Sequence, residues 1–593
     1  MAAVRTAYVY DADLRIKANA QGRNYWYEYV REICDQLGLR AAAIPRQALA
    51  DGATLSQYSV LIVGDFAASE LPPGAAANLD AWVTQGGALI GFATDGLDEV
   101  FGNKAGGVTR QPIDDFTLAG FFDLKPDPLT TDVHSPLHPD QKLLVFSDMR
   151  NVTPVNSRRL GDMFYKTGRG AGFAAITARE HGQGHAFYFA FNVPKTVWVL
   201  HQGRPIDKDY DGDGYYRFSD AMVIGQNSDE VAYADEILFL LQNMLGRRRV
   251  PLIHQLPPLG DQIPDALFHW GGDDEAAAGT QLWASNWMKE RGLPYHLNIM
   301  PKDGRFHLTA DEARAIEANG HELAVHYNFI DGYQHPAHFT EREIRAQADL
   351  FAATFGKRSV CSVFHWCRWT GWAEPAKWIA AAGGKGDNSR IHSGSPPLNP
   401  ANQLGFGGSG TSFPFFYYDD WRAGNARIEF LCEPITAYET GYRPGKTFPD
   451  LTHTVVDLAA KYHLTMDMFY HPVNVTRVAE CRLAIDEVLR YIRKRGIVAR
   501  HMGNDELCCW WFARSESSIS NVATDGASIA FTADARHRDG LVIKIPLQAG
   551  KAVKAVCDGK PTPFKTAHEF AQNWAFVLVP CGNHRVNVES AAT

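Results

Sequence analysis

Over residues 1–250, short apolar runs alternate with segments whose apolar spacing is helical. "AYVYD" (7–11) reads as a strand, and from Trp26 through Val30, Ile33 and Leu37 the spacing is that of a helix. "YSVLIVGD" (58–65) is a second strand, "AANLDAWVTQGG" (76–87) a helix with a glycine stop, and "ALIGFA" (88–93) a third strand. Strand–helix–strand at this rhythm predicts an α/β domain with a doubly wound, parallel sheet. Residues 103–180 break the rhythm with short strands and turns, a β insertion, before "HAFYFAFNV" (185–193) returns to the sheet.

Residues 257–510 also alternate, with longer connections. The predicted strands are "DALFHW", "YHLNIM", "HELAVHY", "SVCSVFHW", "ARIEFLCEP", "TMDMFYHP" and "GIVARHM". Strands separated by helices in this way predict a barrel or distorted (β/α) barrel. From about 515 the pattern turns all-β: "LVIKIPL", "AVKAVCDG" and "WAFVLVPCG" alternate between Gly, Pro and Asn turns, a small sandwich-like accessory domain over 515–593.

A chain of 593 residues is too long for one core. Its net charge of -9 and lack of a basic block argue against a nucleic-acid surface. No run reaches the ~18–20 apolar residues of a membrane span. "MAAVRTAYVYD" enters a strand at once, with no signal peptide in this chain, as for a cytoplasmic protein or a secreted one whose leader has been removed. Nine cysteines without a CxxC do not form a disulfide framework.

The middle stretch carries the chemistry. "ALFHWGGDDE" ends an apolar strand in Asp273, Asp274 and Glu275. Acids this close repel, and each is costly to bury, so they need a partner. His326, His365 with Arg368, and His471 each follow a predicted strand. In an α/β barrel the carboxyl ends of the strands face one pocket. A carboxylate with neutral imidazoles suits a divalent metal, zinc above all, with a position left open for water. The metal lowers the water's pKa, and a free carboxylate then serves as base. Taken singly, each residue has a plainer reading: a His at a strand end is usually packed or hydrogen-bonded, and acids suit a helix start. Glu275 reads as a cap for the following helix and His269 as structural. Arg368, Trp366, Trp369, Trp372 and the run "FPFFYYDDW" (413–421) are candidates for a sugar groove, with core packing as the alternative. "DYDGDGYYRFSD" (209–220) has the spacing of a calcium loop, with Asp209, Asp211, Asp213, Tyr215 and Asp220 as ligands to a structural ion; an acidic surface turn is the alternative.

"HWGGDDE" resembles the first motif of the polysaccharide deacetylase (NodB-type) family, "GHELAVH" its second and "FYHP" its last, over roughly residues 260–500. The resemblance implies a barrel of that type, with Asp273 as general base, Asp274 and His326 as metal ligands and His471 as general acid. The family's second metal His would fall at Ile330, and the third motif, "FHWCRWTGW", departs from the usual pattern. His365 is the expected substitute ligand, with His335 and His338 as rivals. Residues 1–250 resemble glutamine-amidotransferase-like domains, but "GGALIGFATDG" lacks their Cys, which implies a non-catalytic domain. The expected function is metal-dependent hydrolysis on a carbohydrate, most simply N- or O-deacetylation of a poly- or oligosaccharide. The alternatives are a glycoside hydrolase on the same barrel, using Glu433 or Glu322 in a carboxylate pair, and a non-catalytic glycan-binding protein. The expected partner is a carbohydrate substrate; the sequence does not give the oligomeric state.

Overall fold

The computed structural model describes residues 2–222, 227–333, 338–391, 404–441, 450–547 and 550–591. The fold is mixed α/β, and the chain forms two compact units. The first contains Met1–Val199, Glu236–His254 and Arg514–Thr593; the second contains Leu200–Asp235 and Gln255–Ala513. These boundaries cut the chain differently from the three stretches of the hydrophobic pattern.

In the first unit, β1 (Thr6–Val9), β2 (Ala42–Ile44), β3 (Val60–Gly64), β4 (Ala88–Phe92) and β5 (Gly184–Phe189) form parallel neighbours in the order β2-β1-β3-β4-β5. β3 and β4 are buried on both faces, as their continuous apolar runs require. The insertion extends the same sheet with antiparallel strands, among them Gly170–His181 and Arg158–Tyr165. The strands after 515 do not stand alone. Ala2–Ala3 pairs antiparallel with Ser518–Thr524, and Leu252–Ile253 pairs with Leu541–Leu547. Arg514, fully buried, donates to the carbonyls of Asp35, Gln36, Ile253 and His254.

The second unit is built on a curled sheet. Its strands are β6 (Ala266–Asp273), β7 (His296–Ile299), β8 (Glu322–Tyr327), β9 (Cys361–Phe364), β10 (Gly386–Asp387), β11 (Phe415–Tyr418), β12 (Arg427–Cys432), β13 (Ala437–Tyr438), β14 (Thr465–Phe469) and β15 (Ala499–Met502). They run in the order β11-β12-β10-β9-β8-β7-β6-β14-β13, with β15 also on β6. All pair parallel except β11 with β12. All seven strands expected from the pattern are present, with helices such as Thr280–Lys289 and Glu341–Phe355 between them. The parallel arrangement brings the ends of β6, β8, β9 and β14 to one edge.

Candidate active site

The turn after β6 explains "GGDDE". A Cβ on Gly272 would lie 1.7 Å from the carbonyl oxygen of Tyr470, so only glycine lets the two strands close here. Beyond it the strand ends at Asp273 and the backbone turns, bringing Asp273 and Glu275 together while Asp274 points into the protein. The Asp274 carboxylate is fully buried and accepts from Ala276 N at 3.0 Å, Gln281 Nε2 at 2.9 Å and Met300 N at 2.8 Å. The acid expected as a metal ligand is thus turned into the protein, where it fixes the loop. Glu275, expected as a helix cap, takes its place at the site, at a left-handed φ of 51°. Trp366 (φ 56°), Cys367 (φ 53°) and Glu439 (φ 44°) share that conformation in the loops around it, a distribution typical of functional sites.

His326 and His365 meet with ring centroids 5.0 Å apart. Glu275 Oε1 lies 3.5 Å from His365 Nδ1 and 3.6 Å from His471 Nε2, and Asp273 Oδ2 lies 3.3 Å from His326 Nε2. The ligand atoms of Glu275, His326 and His365 fall within 4.8 Å of one another, as do those of Asp273, Glu275 and His471. Both ring nitrogens of His326 and Nδ1 of His365 are buried without a hydrogen-bond partner. Buried polar atoms are normally satisfied, and with Glu275 these imidazoles form a group that could hold a metal ion. Burial, reinforced by His365, holds His326 well below the ordinary histidine range, in the neutral form that binds metals. Against its own burial, Glu275 is held below the carboxylate range by His365, His471 and His326. Burial pushes Asp273 up; His471 and Asn298 oppose this, and the Glu275 charge adds to it.

Two supporting residues escaped sequence reasoning. Asn298 pairs with Asp273 across the ladder and donates from Nδ2 to its Oδ1 at 3.0 Å. Glu439 Oε1 accepts from His471 Nδ1 at 2.7 Å, from the His471 backbone N–H at 3.0 Å and from Asn474 Nδ2 at 2.6 Å. Burial alone would depress the His471 imidazole, but Glu439 and Glu275 raise it well above its ordinary value. The polar alternation of His296 and Asn298 inside an apolar strand was a usable signal for Asn298. Glu439 had none beyond following a short strand.

The remaining candidates fall elsewhere. Trp369 (1 % exposed) and Trp372 (4 %) are core, as are Phe413, Phe415, Phe416, Tyr417 and Tyr418, so of the expected aromatic groove only Trp366, 50 % exposed, and the half-buried Trp421 reach the surface. The packing reading holds for the others: β11 ends the strand order, yet all four of its residues are buried. Arg368 is also fully buried and stands over the Tyr215 ring, away from solvent. Glu322 is committed to His296 at 2.9 Å, and Glu433 is fully enclosed. His269 is buried and held by Asn504 at 3.3 Å, a structural role. His338 is exposed, and His335 lies outside the described residues. In the acidic loop Asp209, Asp211 and Asp213 come together, while Asp220 caps the backbone N–H groups of Tyr210, Asp211 and Arg217. The Tyr215 amide donates to Asp213 within that turn. Among the described residues no helix is long and apolar enough to cross a membrane.

No family model and no curated protein matches this chain. Among solved structures, Agd3, described as a novel carbohydrate deacetylase, aligns over 100 % of this chain and 99 % of its own at 11 % identity, with a TM-score of 0.42. A beta-galactosidase from Bacillus circulans sp. alkalophilus aligns over 32 % of this chain at 15 % identity (TM-score 0.25), and this chain spans 28 % of that protein's length. Alpha-L-fucosidase isoenzyme 2 from Paenibacillus thiaminolyticus aligns over 43 % of this chain and 36 % of its own at 16 % identity, with a TM-score of 0.26.

Proposed function

We propose that the second unit hydrolyses acetyl groups from a carbohydrate with the help of a divalent metal, zinc by its ligand chemistry, held by Glu275, His326 and His365. The observation that carries this reading is the pair of buried imidazoles gathered with Glu275, whose ring nitrogens have carboxylates at 3.3 and 3.5 Å but make no hydrogen bond within the protein. A carboxylate and two neutral imidazoles make a three-ligand set of the kind that leaves a position open. When bound, such an ion supplies a Lewis acid and lowers the pKa of water.

The chain's own groups divide the proton transfers. Asp273 has Oδ1 occupied by Asn298, which leaves Oδ2 to take the proton of the attacking water. A cation beside it favours the ionised form and offsets the effect of burial. His471 has Nδ1 on Glu439 and presents Nε2 toward Glu275, poised to protonate the leaving nitrogen. The new C–O bond forms as the C–N bond breaks, giving acetate and a free amine. The carbohydrate substrate rests on the motif resemblance, and the exposed Trp366 offers a face for a sugar ring.

The decisive experiment measures acetate release from N-acetylglucosamine oligomers, with metal content by mass spectrometry, before and after chelation. Acetate release that disappears with the metal and returns on adding zinc supports the proposal. New reducing ends without acetate, unaffected by chelation, would overturn it in favour of glycoside hydrolysis.

A further inference from the structure

His296 and Asn298 stand two residues apart on β7, so their side chains leave the same face of the strand. The ladder sets Asn298 beside Asp273 on β6 and His296 beside Glu322 on β8. Cross-strand neighbours on one face are within side-chain reach. Here they form one continuous chain: Glu322 Oε2 to His296 Nδ1 at 2.9 Å, His296 Nε2 to Asn298 Oδ1 at 3.1 Å, Asn298 Nδ2 to Asp273 Oδ1 at 3.0 Å.

The far end is anchored. Glu322 accepts from the backbone N–H groups of Asp505 at 2.9 Å and Glu506 at 3.0 Å, in the first turn of helix α1 (Asn504–Glu516). A helix N-terminus favours a carboxylate. Asp505 Oδ1 lies 3.5 Å from His296 Nδ1 and accepts from Cys361 N at 2.9 Å. Glu322, Asp505 and His296 could also be read as a metal trio. Their contacts argue otherwise, because both ring nitrogens and both Glu322 oxygens already have partners.

The donors then follow in order. Both Glu322 oxygens accept backbone N–H groups, so toward the ring the carboxyl accepts and Nδ1 carries a hydrogen; Asn298 Oδ1 only accepts, so Nε2 carries one too. The ring is an imidazolium between two carboxylates, and although burial works against that form, Asp505 and Glu322 raise its pKa above the ordinary value. With Oδ1 taken by His296, the Asn298 amide presents its NH2 to Asp273. The reversed amide would aim a carbonyl oxygen at a carboxylate.

We propose that His296 is a positioning residue for Asp273, acting through Asn298: it locks the amide so that one carboxylate oxygen is held and Oδ2 is left facing the site. The proposal rests on the reading of Asp273 as the base. None of these four residues is among the three metal-holding ones, so metal affinity and base positioning are separable.

The test is a double-mutant cycle of His296→Leu with Asn298→Ala, reading kcat, KM and metal content on an acetylated oligosaccharide. Expected for His296→Leu is a loss of about 10–100-fold in kcat with KM within about threefold and metal retained. In the Asn298→Ala background the same change should cost less than about threefold, because residues that act through one another are not additive. His296→Gln, which can still donate to Asn298, should recover part of the loss. Equal losses in both backgrounds, or loss of metal, would overturn the proposal. If the wild-type protein releases no acetate, the base assignment fails by itself, and the relay is read from the ring 15N resonances of His296 at neutral pH. Two protonated nitrogens support the lock, and one bare nitrogen overturns it.

Discussion

Glu439 and His471 form a pair in which one carboxylate oxygen takes both the Nδ1 hydrogen and the backbone N–H of the same histidine, at 2.7 and 3.0 Å. Glu439 is 1 % exposed, so the pair is shielded from solvent on the carboxylate side. These bonds orient the ring and leave Nε2 facing Glu275 Oε1 at 3.6 Å.

Glu439→Gln should move the basic limb of kcat/KM to lower pH. With Glu439 present, the His471 pKa is raised, so the ring keeps its proton through neutral pH. Without that charge, burial is opposed less, the pKa falls and the acid form disappears sooner as pH rises. A shift of about one unit or more is expected, with metal content unchanged. A limb that stays in place would show that it reports another group.

Glu275→Gln and Asp274→Asn should separate metal binding from folding. Glu275→Gln removes an ionised oxygen from the proposed ligand set and should empty the site. Asp274→Asn should keep the metal but lower the melting temperature, because it weakens the acceptor of three hydrogen bonds, at a cost of about 1–3 kcal/mol. Metal loss in Asp274→Asn with retention in Glu275→Gln would restore the assignment drawn from motif resemblance.

His365→Ala should lower metal occupancy about as far as His326→Ala, since each removes one of the three proposed ligands. His338→Ala, at an exposed position, should leave occupancy unchanged. Mass-spectrometric metal content of the three variants decides between them.

His471→Ala should reduce cleavage of an acetamide far more than that of 4-nitrophenyl acetate. An amine leaves poorly without a proton, whereas nitrophenolate needs none. Equal losses on the two substrates would place His471 in binding rather than proton donation.

Arg514→Met should destabilise the first unit by about 3 kcal/mol or more, because four buried carbonyls lose their donor. Thermal unfolding followed by circular dichroism measures it. A change within about 0.5 kcal/mol would mean those carbonyls find other partners.

Much of the second unit was legible because the seven expected strands are runs of four or more residues lying in apolar stretches closed by turn signals, while β13 is only two residues long. β10, two residues long, left no such trace. The strand-end logic expected His326, His365 and His471 at one edge, and the structure brings all three around Glu275; which acid of the cluster faces them depends on the backbone turn after Asp273, where Glu275 and Ala276 both take positive φ. Local patterns do not encode that turn, since neither residue is a glycine. The aromatic residues were ambiguous for a different reason: Trp366 and Trp369 are three positions apart in one loop, yet only the fold decides that one meets solvent and the other packs beside Phe218. The strands after 515 were recognisable as β-structure, whereas their pairing with Ala2–Ala3 and Leu252–Ile253 joins residues hundreds of positions apart.

That pairing has a consequence for the order in which the protein is made. The ribosome delivers the early strands of the first unit long before the partners they need, and the whole second unit emerges in between. At about 5–20 residues per second, the stretch from Arg514 to Thr593 adds several more seconds. Through that interval Ala2–Ala3 and Leu252–Ile253 lack the strands they pair with, Ser518–Thr524 and Leu541–Leu547. A cell that makes this protein must keep an unfinished sheet edge from pairing with its neighbours until those strands have emerged.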